Sequence, residues 1–282
     1  GGCAVRVLHN EPHPERRPSA KTPMMLASLC VGTTLLRGAS PIVAVATQQR
    51  TRTLVASAMK REFEEVPSFR EVKWPDEWPF ANPAYFARSD ETPDSEFYAQ
   101  ARFVTHIDDG AIQSISDYYA SVMHEGADVC DLCSSWISHL PPDLKLGRVA
   151  GLGMNEEELK GNERLTEYAV QDLNNDPKLP YDDASFDFVC NVVSVDYLNK
   201  PLEIFKEMHR VLKPGGSAIM SFSNRMFPTK AVAVWTQTDD AGHLWIVGSY
   251  YRFSADWSDV KAVDVSTKPL MGDPMFVVQG TK

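Results

Sequence analysis

The body of this chain is short of positive charge. Nine of its 28 Lys and Arg fall in residues 1–61, beside only two Asp or Glu. The remaining residues set 19 bases against 36 acids, a formal charge near −17. So acidic a body repels phosphate backbones and argues against a nucleic-acid partner. Cysteine is also scarce, with five in 282 residues, two of them (Cys3 and Cys30) near the start. The single C-x-x-C, Cys130 to Cys133, has no second pair for structural zinc, and His139 adds at most one ligand, so no metal is expected. Long apolar runs are missing. The best, Met24 to Leu36, is too short and too rich in Ser and Thr to read as a membrane span, and Arg37 closes it. Finally, the turn after the first candidate strand, Val129 to Leu132, contains no glycine.

What is present begins with a basic leader over residues 1–60. Arg16-Arg17, the modest apolar run and Ala44-Val45-Ala46 have the order of a targeting signal. Three readings stay open: a transit segment, a thylakoid-lumen signal of twin-arginine type, and an anchor that gives membrane association. The expected location is a plastid, in the thylakoid lumen or on the thylakoid surface. Residues 61–96 form a Pro/Trp-rich stretch (VPSFREVKWPDEWPFANP), where proline density argues against long elements. We read it as an extended arm whose Trp74, Trp78, Phe80 and Phe86 pack on a surface, either its own or that of a partner complex. Residues 97–126 read as a helical cap broken near Thr105. Thr105 or Asp108 caps a helix there that aligns Ile112, Ile115, Tyr118 and Tyr119.

From Val129 onward, strand and helix alternate. Arg148 to Gly153 is a strand, and Asn155-Glu156-Glu157-Glu158 opens a helix with acids in its first turn. Thr166 to Gln171 and the apolar Phe186 to Val193 are further strands. Pro201 to Leu212 is a helix by its apolar spacing, stopped at Lys213-Pro214-Gly215-Gly216. Ser217 to Phe222 follows as a strand, and Val260 to Val265 with Met275 to Gln279 close the sheet as a hairpin. A segment after Leu132 is read as able to start a helix, whose free N–H groups would face a ligand. The fold class is α/β, a doubly wound parallel sheet.

Two strings carry a family likeness: Leu179-Pro180-Tyr181-Asp182-Asp183-Ala184-Ser185-Phe186-Asp187, and Glu207 to Gly216 (EMHRVLKPGG). With DLCSSWISH, GLGMNEEEL and SFSNRMFPTKA, the region 127–282 resembles the class I S-adenosylmethionine-dependent methyltransferases. Within them it is similar to a methyltransferase-like subgroup of plastids and bacteria. The resemblance implies a seven-stranded Rossmann-like sheet and S-adenosylmethionine as cofactor. It also implies a small-molecule acceptor or, in a rival reading, a non-catalytic accessory subunit of a larger, photosynthetic assembly docked through Trp74 and Trp78.

Site residues follow from the same resemblance. Asp131 stands at the acidic position before the family's glycine turn, with Cys133, Ser135 and Ile137 where glycines normally lie and Ser134 in the turn between the first two. Gly153 stands where a ribose-gripping acid is normal, with Asn155 just beyond it. Asp172 and Leu173 match the adenine edge. Tyr197, Asn224 and Arg225 fall in loops that line the acceptor side, and Asp109 near the mouth. His106 and His139 are the candidate bases. Asp187 is read as structural, and Cys130 and Cys190 as buried filler.

Overall fold

The computed structural model describes residues 5–8, 62–267 and 272–282, and all of them belong to one unit. The leader features Arg16-Arg17, Met24 to Leu36 and Ala44-Val45-Ala46 lie outside the described residues. Eight described strands form one sheet: Arg6–Val7 (β1), Val129–Leu132 (β2), Val149–Gly153 (β3), Glu167–Val170 (β4), Phe186–Val192 (β5), Leu212–Phe222 (β6), Ser258–Asp264 (β7) and Phe276–Thr281 (β8). Their order is β1-β4-β3-β2-β5-β6-β8-β7. The strands from β4 to β6 run parallel, and β8 and β7 add an antiparallel hairpin. The seven strands expected from sequence are therefore present. The eighth, β1, pairs antiparallel with β4 at the edge.

The apolar runs became strands because both of their faces are covered. Every residue of β2 and β3 is buried. Alternate residues feed two cores: Cys130, Leu132, Ala150 and Leu152 on one face, Val129, Val149, Cys190 and Ile219 on the other. Helices Pro67–Arg70 (α1), Asp94–Phe97 (α2), Asp109–Val122 (α3), Glu156–Gly161 (α4), Pro201–Val211 (α5), Ala233–Thr236 (α6) and Asp240–Ser254 (α7) complete the described fold. The second core takes Ile115, Tyr118 and Tyr119 from α3; the first takes Ile204, Phe205 and Met208 from α5 and Val247, Tyr250 and Tyr251 from α7. Burying one such side chain stabilises the fold by about 1.5–3 kcal/mol. Asp128 and Asp187 share the Lys213 ammonium at 2.8 and 2.9 Å, so Asp187 has a structural bond.

Three expectations are corrected. The cap is helical only from Asp109, where the Asp108 carboxylate accepts from the Ala111 amide at 2.8 Å. Between Tyr98 and Asp108 the chain is an irregular strap. Side chains of the second crossover take its backbone groups: Glu158 accepts from the Arg102 amide at 2.6 Å, and Asn155 Nδ2 donates to the Tyr98 carbonyl at 3.0 Å.

Second, no helix follows β2; residues 133–148 are turn and coil. The Asp131 carboxylate captures the Ser134 and Ser138 hydroxyls at 2.7 and 2.5 Å, and Asn162 Nδ2 donates to the Ser135 carbonyl at 2.9 Å. Pro141-Pro142 then forbids a helical ladder. Third, the arm contains α1, α2 and a 3₁₀ turn at Pro83–Phe86, and its aromatics lie on α7. Trp74 stacks on Trp245 at 5.7 Å, and Trp78 meets Tyr250 and Phe253 at 5.9 and 5.6 Å. Gly248 makes room, since a Cβ there would lie 2.6 Å from the Phe69 ring.

The arm ends in a buried charge cluster. Arg88 Nη1 donates to both oxygens of Asp94, at 2.8 and 2.7 Å. The fully buried Lys230 donates to the Thr92 carbonyl at 2.6 Å and lies 3.3 Å from Asp94. Asn174 Nδ2 reaches the same carboxylate at 3.0 Å, which ties the arm to the loop after β4.

Candidate active site

A cleft of about 530 Å³ opens at the carboxyl ends of β2, β3, β4 and β5. This is where the chain order reverses, since β3 lies on one side of β2 and β5 on the other. Open parallel sheets bind ligands at such a point. The strap and the loop after β6 wall its outer side, and residues from Asp94 to Pro228 line it.

Its floor is the turn after β2. Cys133 sits there at φ +56°, a left-handed conformation that suits glycine and strains a residue with a Cβ. The Ser134 amide donates to the Leu152 carbonyl at 2.8 Å, which draws the turn onto β3. Burial raises the Asp131 carboxyl above its ordinary range, partly offset by the two serine hydroxyls. Burial also pushes the Cys133 thiol up to about 12, so it stays protonated and is no nucleophile. Among the described cysteines Cys130, Cys133 and Cys190 are free, and no described group of three metal-binding side chains exists.

Gly153 explains its own identity. A Cβ at this position would lie 2.1 Å from the Ser134 carbonyl oxygen. No acid fits while the turn holds its place. Asn155 lines the cleft, but its side chain is occupied. Its Oδ1 caps α4 through the Glu157 and Glu158 amides at 3.0 and 3.1 Å, and its Nδ2 serves the strap.

Ser135, Asp172 and Leu173 line the same cleft, and the Asp172 carboxylate accepts from the Asn174 amide at 2.9 Å. On the outer side stand His106, Tyr197, Asn224 and Arg225. His106 meets Phe227 edge-on at 5.3 Å, and burial lowers its pKa. The Tyr197 hydroxyl accepts from the Phe227 amide at 2.8 Å and so holds the outer loop. Arg225 is exposed and faces Asp273 at 3.6 Å. His139 lies deeper, where burial lowers its pKa to about 4 and its Nδ1 has no hydrogen-bond partner.

Asp109 is the one candidate outside the cleft. It is the exposed first residue of α3, where an acid favours the helix dipole. The sequence reading missed Asp94, Tyr98, Arg102, Glu158 and Gln171, all of which line the cleft. The available signal for Arg102 was a basic residue four positions beyond the aromatic pair Phe97-Tyr98, which capping arguments do not use.

A family profile for a methyltransferase domain matches residues 136–220. A demethylmenaquinone methyltransferase of Listeria monocytogenes is 27% identical over 161 residues, which cover 53% of this chain and 66% of the relative. One from Staphylococcus epidermidis is 35% identical over 96 residues, covering 33% of this chain and 40% of the relative. The chain therefore spans just under two thirds of the first relative's length. Among solved structures, a methyltransferase from Aquifex aeolicus is 18% identical with a TM-score of 0.43, covering 62% of this chain and 90% of that one.

Proposed function

We propose, from the premise that the chain belongs to the class I S-adenosylmethionine-dependent methyltransferase superfamily, that its cleft binds S-adenosylmethionine and methylates a small planar molecule. The observation that carries this reading is the convergence on one cleft of Asp131, Cys133, Gly153, Asp172 and Tyr197, drawn from the ends of four parallel strands and the loops after them. Its volume lies within the ordinary range for small ligands.

Asp172 and Leu173 would hold the adenine edge, and the Cys133–Ser135 turn the amino-acid end. When bound, S-adenosylmethionine supplies an electrophilic methyl group. The protein's part is alignment, which accounts for much of the rate of such transfers. His106, kept neutral at pH 7 by its lowered pKa, would accept the acceptor's proton at a ring nitrogen. The strap carrying it is fixed by Glu158 and Asn155, so the base is held over the cleft. Val104, Ile107, Ile137, Met226 and Phe227 give the cleft apolar wall area. Together with the relatives' activity on demethylmenaquinone, this wall favours a hydroxylated ring as acceptor.

Calorimetric titration with S-adenosylhomocysteine tests the reading. A saturable heat that Asp172→Ala weakens by about ten- to a hundredfold, the loss of a hydrogen bond to a charged group, supports it. Absence of heat at millimolar ligand refutes it. One observation favours the second reading, a non-catalytic accessory subunit: the turn that approaches the cofactor in this superfamily carries side chains, and Cys133 is strained to do so. That reading expects the silent titration.

A further inference from the structure

Arg102 is a cation of the cleft that no described carboxylate neutralises. We propose that it is a carboxylate-binding residue, which takes either the amino-acid carboxylate of the methyl donor or a carboxylate on the acceptor. The inference rests on reading the cleft as an S-adenosylmethionine site.

The guanidinium is held before any ligand arrives. Its Nη2 donates to the Phe97 carbonyl at 2.8 Å, and its carbon lies 4.6 Å from the Phe97 ring centroid. The rings of Tyr98 and Phe227 flank it at 5.8 Å each. The backbone is pinned as well, through the Arg102 amide and Glu158. Yet no described carboxylate pairs with the guanidinium, whereas Arg225, the other arginine of the cleft, faces Asp273. Arg88, just outside, has the bidentate Asp94 pair.

An arginine set among aromatic faces is partly desolvated, so its remaining donors attract an anion more strongly than they would in water. Those donors form a planar fork that matches a carboxylate bidentately. The side chain is already ordered, so little rotamer freedom is lost on binding. In a chain of formal charge −10, an unpaired cation inside the cleft has a local purpose. Arg102 thus assigns the negative end of a ligand to the side of the cleft bounded by the strap and Phe227.

Titrations of wild type, Arg102→Gln and Arg102→Lys separate the two sources. The probes are S-adenosylhomocysteine, methylthioadenosine (which lacks the amino-acid end) and benzoate. If the donor's carboxylate is bound, Arg102→Gln weakens S-adenosylhomocysteine by about ten- to a hundredfold and leaves methylthioadenosine unchanged. The unchanged binding shows at the same time that the variant is folded. If the acceptor's is bound, S-adenosylhomocysteine is unaffected, and benzoate binding to the loaded protein falls by a similar factor. Arg102→Lys, with charge but no fork, should fall between in either case. Equal affinities of wild type and Arg102→Gln for all three probes overturn the proposal, as does a wild type that binds neither carboxylate. A wild type that binds benzoate through Arg102 but neither nucleoside refutes the cofactor reading and leaves the anion site standing.

Discussion

Gly153→Ala isolates the contact that sets this cleft apart. The added Cβ would start 2.1 Å from the Ser134 carbonyl oxygen, a backbone atom with no rotamer to change. Relief to an ordinary contact near 3.4 Å means moving the turn by more than 1 Å. That movement stretches the Ser134 amide bond to Leu152 (2.8 Å) and the buried Ser134 hydroxyl bond to Asp131 (2.7 Å). Losing two buried hydrogen bonds, one of them to a carboxyl group, costs about 2–4 kcal/mol, and overpacking adds about 1–3 kcal/mol where relaxation is incomplete. We expect a net loss of about 2–7 kcal/mol, read as a lower midpoint in urea at unchanged slope.

Gly151→Ala is the control. It meets only the end of the flexible Leu165 side chain, at 2.5 Å, and should cost visibly less. Gly153→Asp, which restores the superfamily's usual acid, should behave like the alanine variant and gain no affinity for S-adenosylhomocysteine. A Gly153→Ala protein within about 0.5 kcal/mol of wild type, the ordinary scatter of surface substitutions, would refute the reasoning.

Trp74→Ala should destabilise the fold by about 2–4 kcal/mol in urea, because the ring packs on Phe69 and Trp245; a change near zero would return the arm to the role of a free docking element. Lys230→Ala leaves the buried Asp94 carboxylate with one cation fewer and should cost about 3–5 kcal/mol, with protease cutting around residue 90 as a second readout; unchanged stability would contradict the cluster. Burial raises Asp196 to about 8, so the folded protein keeps a proton that the unfolded chain releases near pH 4. Stability should therefore fall as pH rises through that window. Asp196→Asn should remove the fall, most clearly between pH 7 and 8, above the ordinary value of 6.5 at which unfolded His139 titrates; parallel profiles would refute it.

The sheet was legible because its strands are buried on both faces and therefore read as unbroken apolar runs. Phe186 to Val192 is one such run, while the next starts at Leu212, five residues before the expected Ser217, and takes in the helix-stopping string Lys213 to Gly216. The strap was not legible. Residues 98–108 resemble a helix locally, and what unwinds them is a pair of side chains, Asn155 and Glu158, more than fifty positions away. The missing helix after β2 has the same kind of cause, since Asp131 competes for Ser134 and Ser138. Motif alignment brought the cofactor-side positions to one cleft. It treated the loss of glycine at 133–135 and the loss of the acid at 153 as separate events. The Ser134 carbonyl beside Gly153 links them: with this turn hydrogen-bonded onto β3, an acid at 153 has no room.

The two ends of the sheet have a further consequence. Arg6–Val7 covers the outer side of β4, and Glu65 bridges Val263 on the outer side of β7. An uncovered strand edge is a template for another chain. The two covering pieces lie on opposite sides of Ala44-Val45-Ala46 in the sequence. A cut there would release the one and retain the other, uncovering the outer edge of Glu167–Val170. Two such products can join through that edge by a twofold axis, and the pairing consumes both edges.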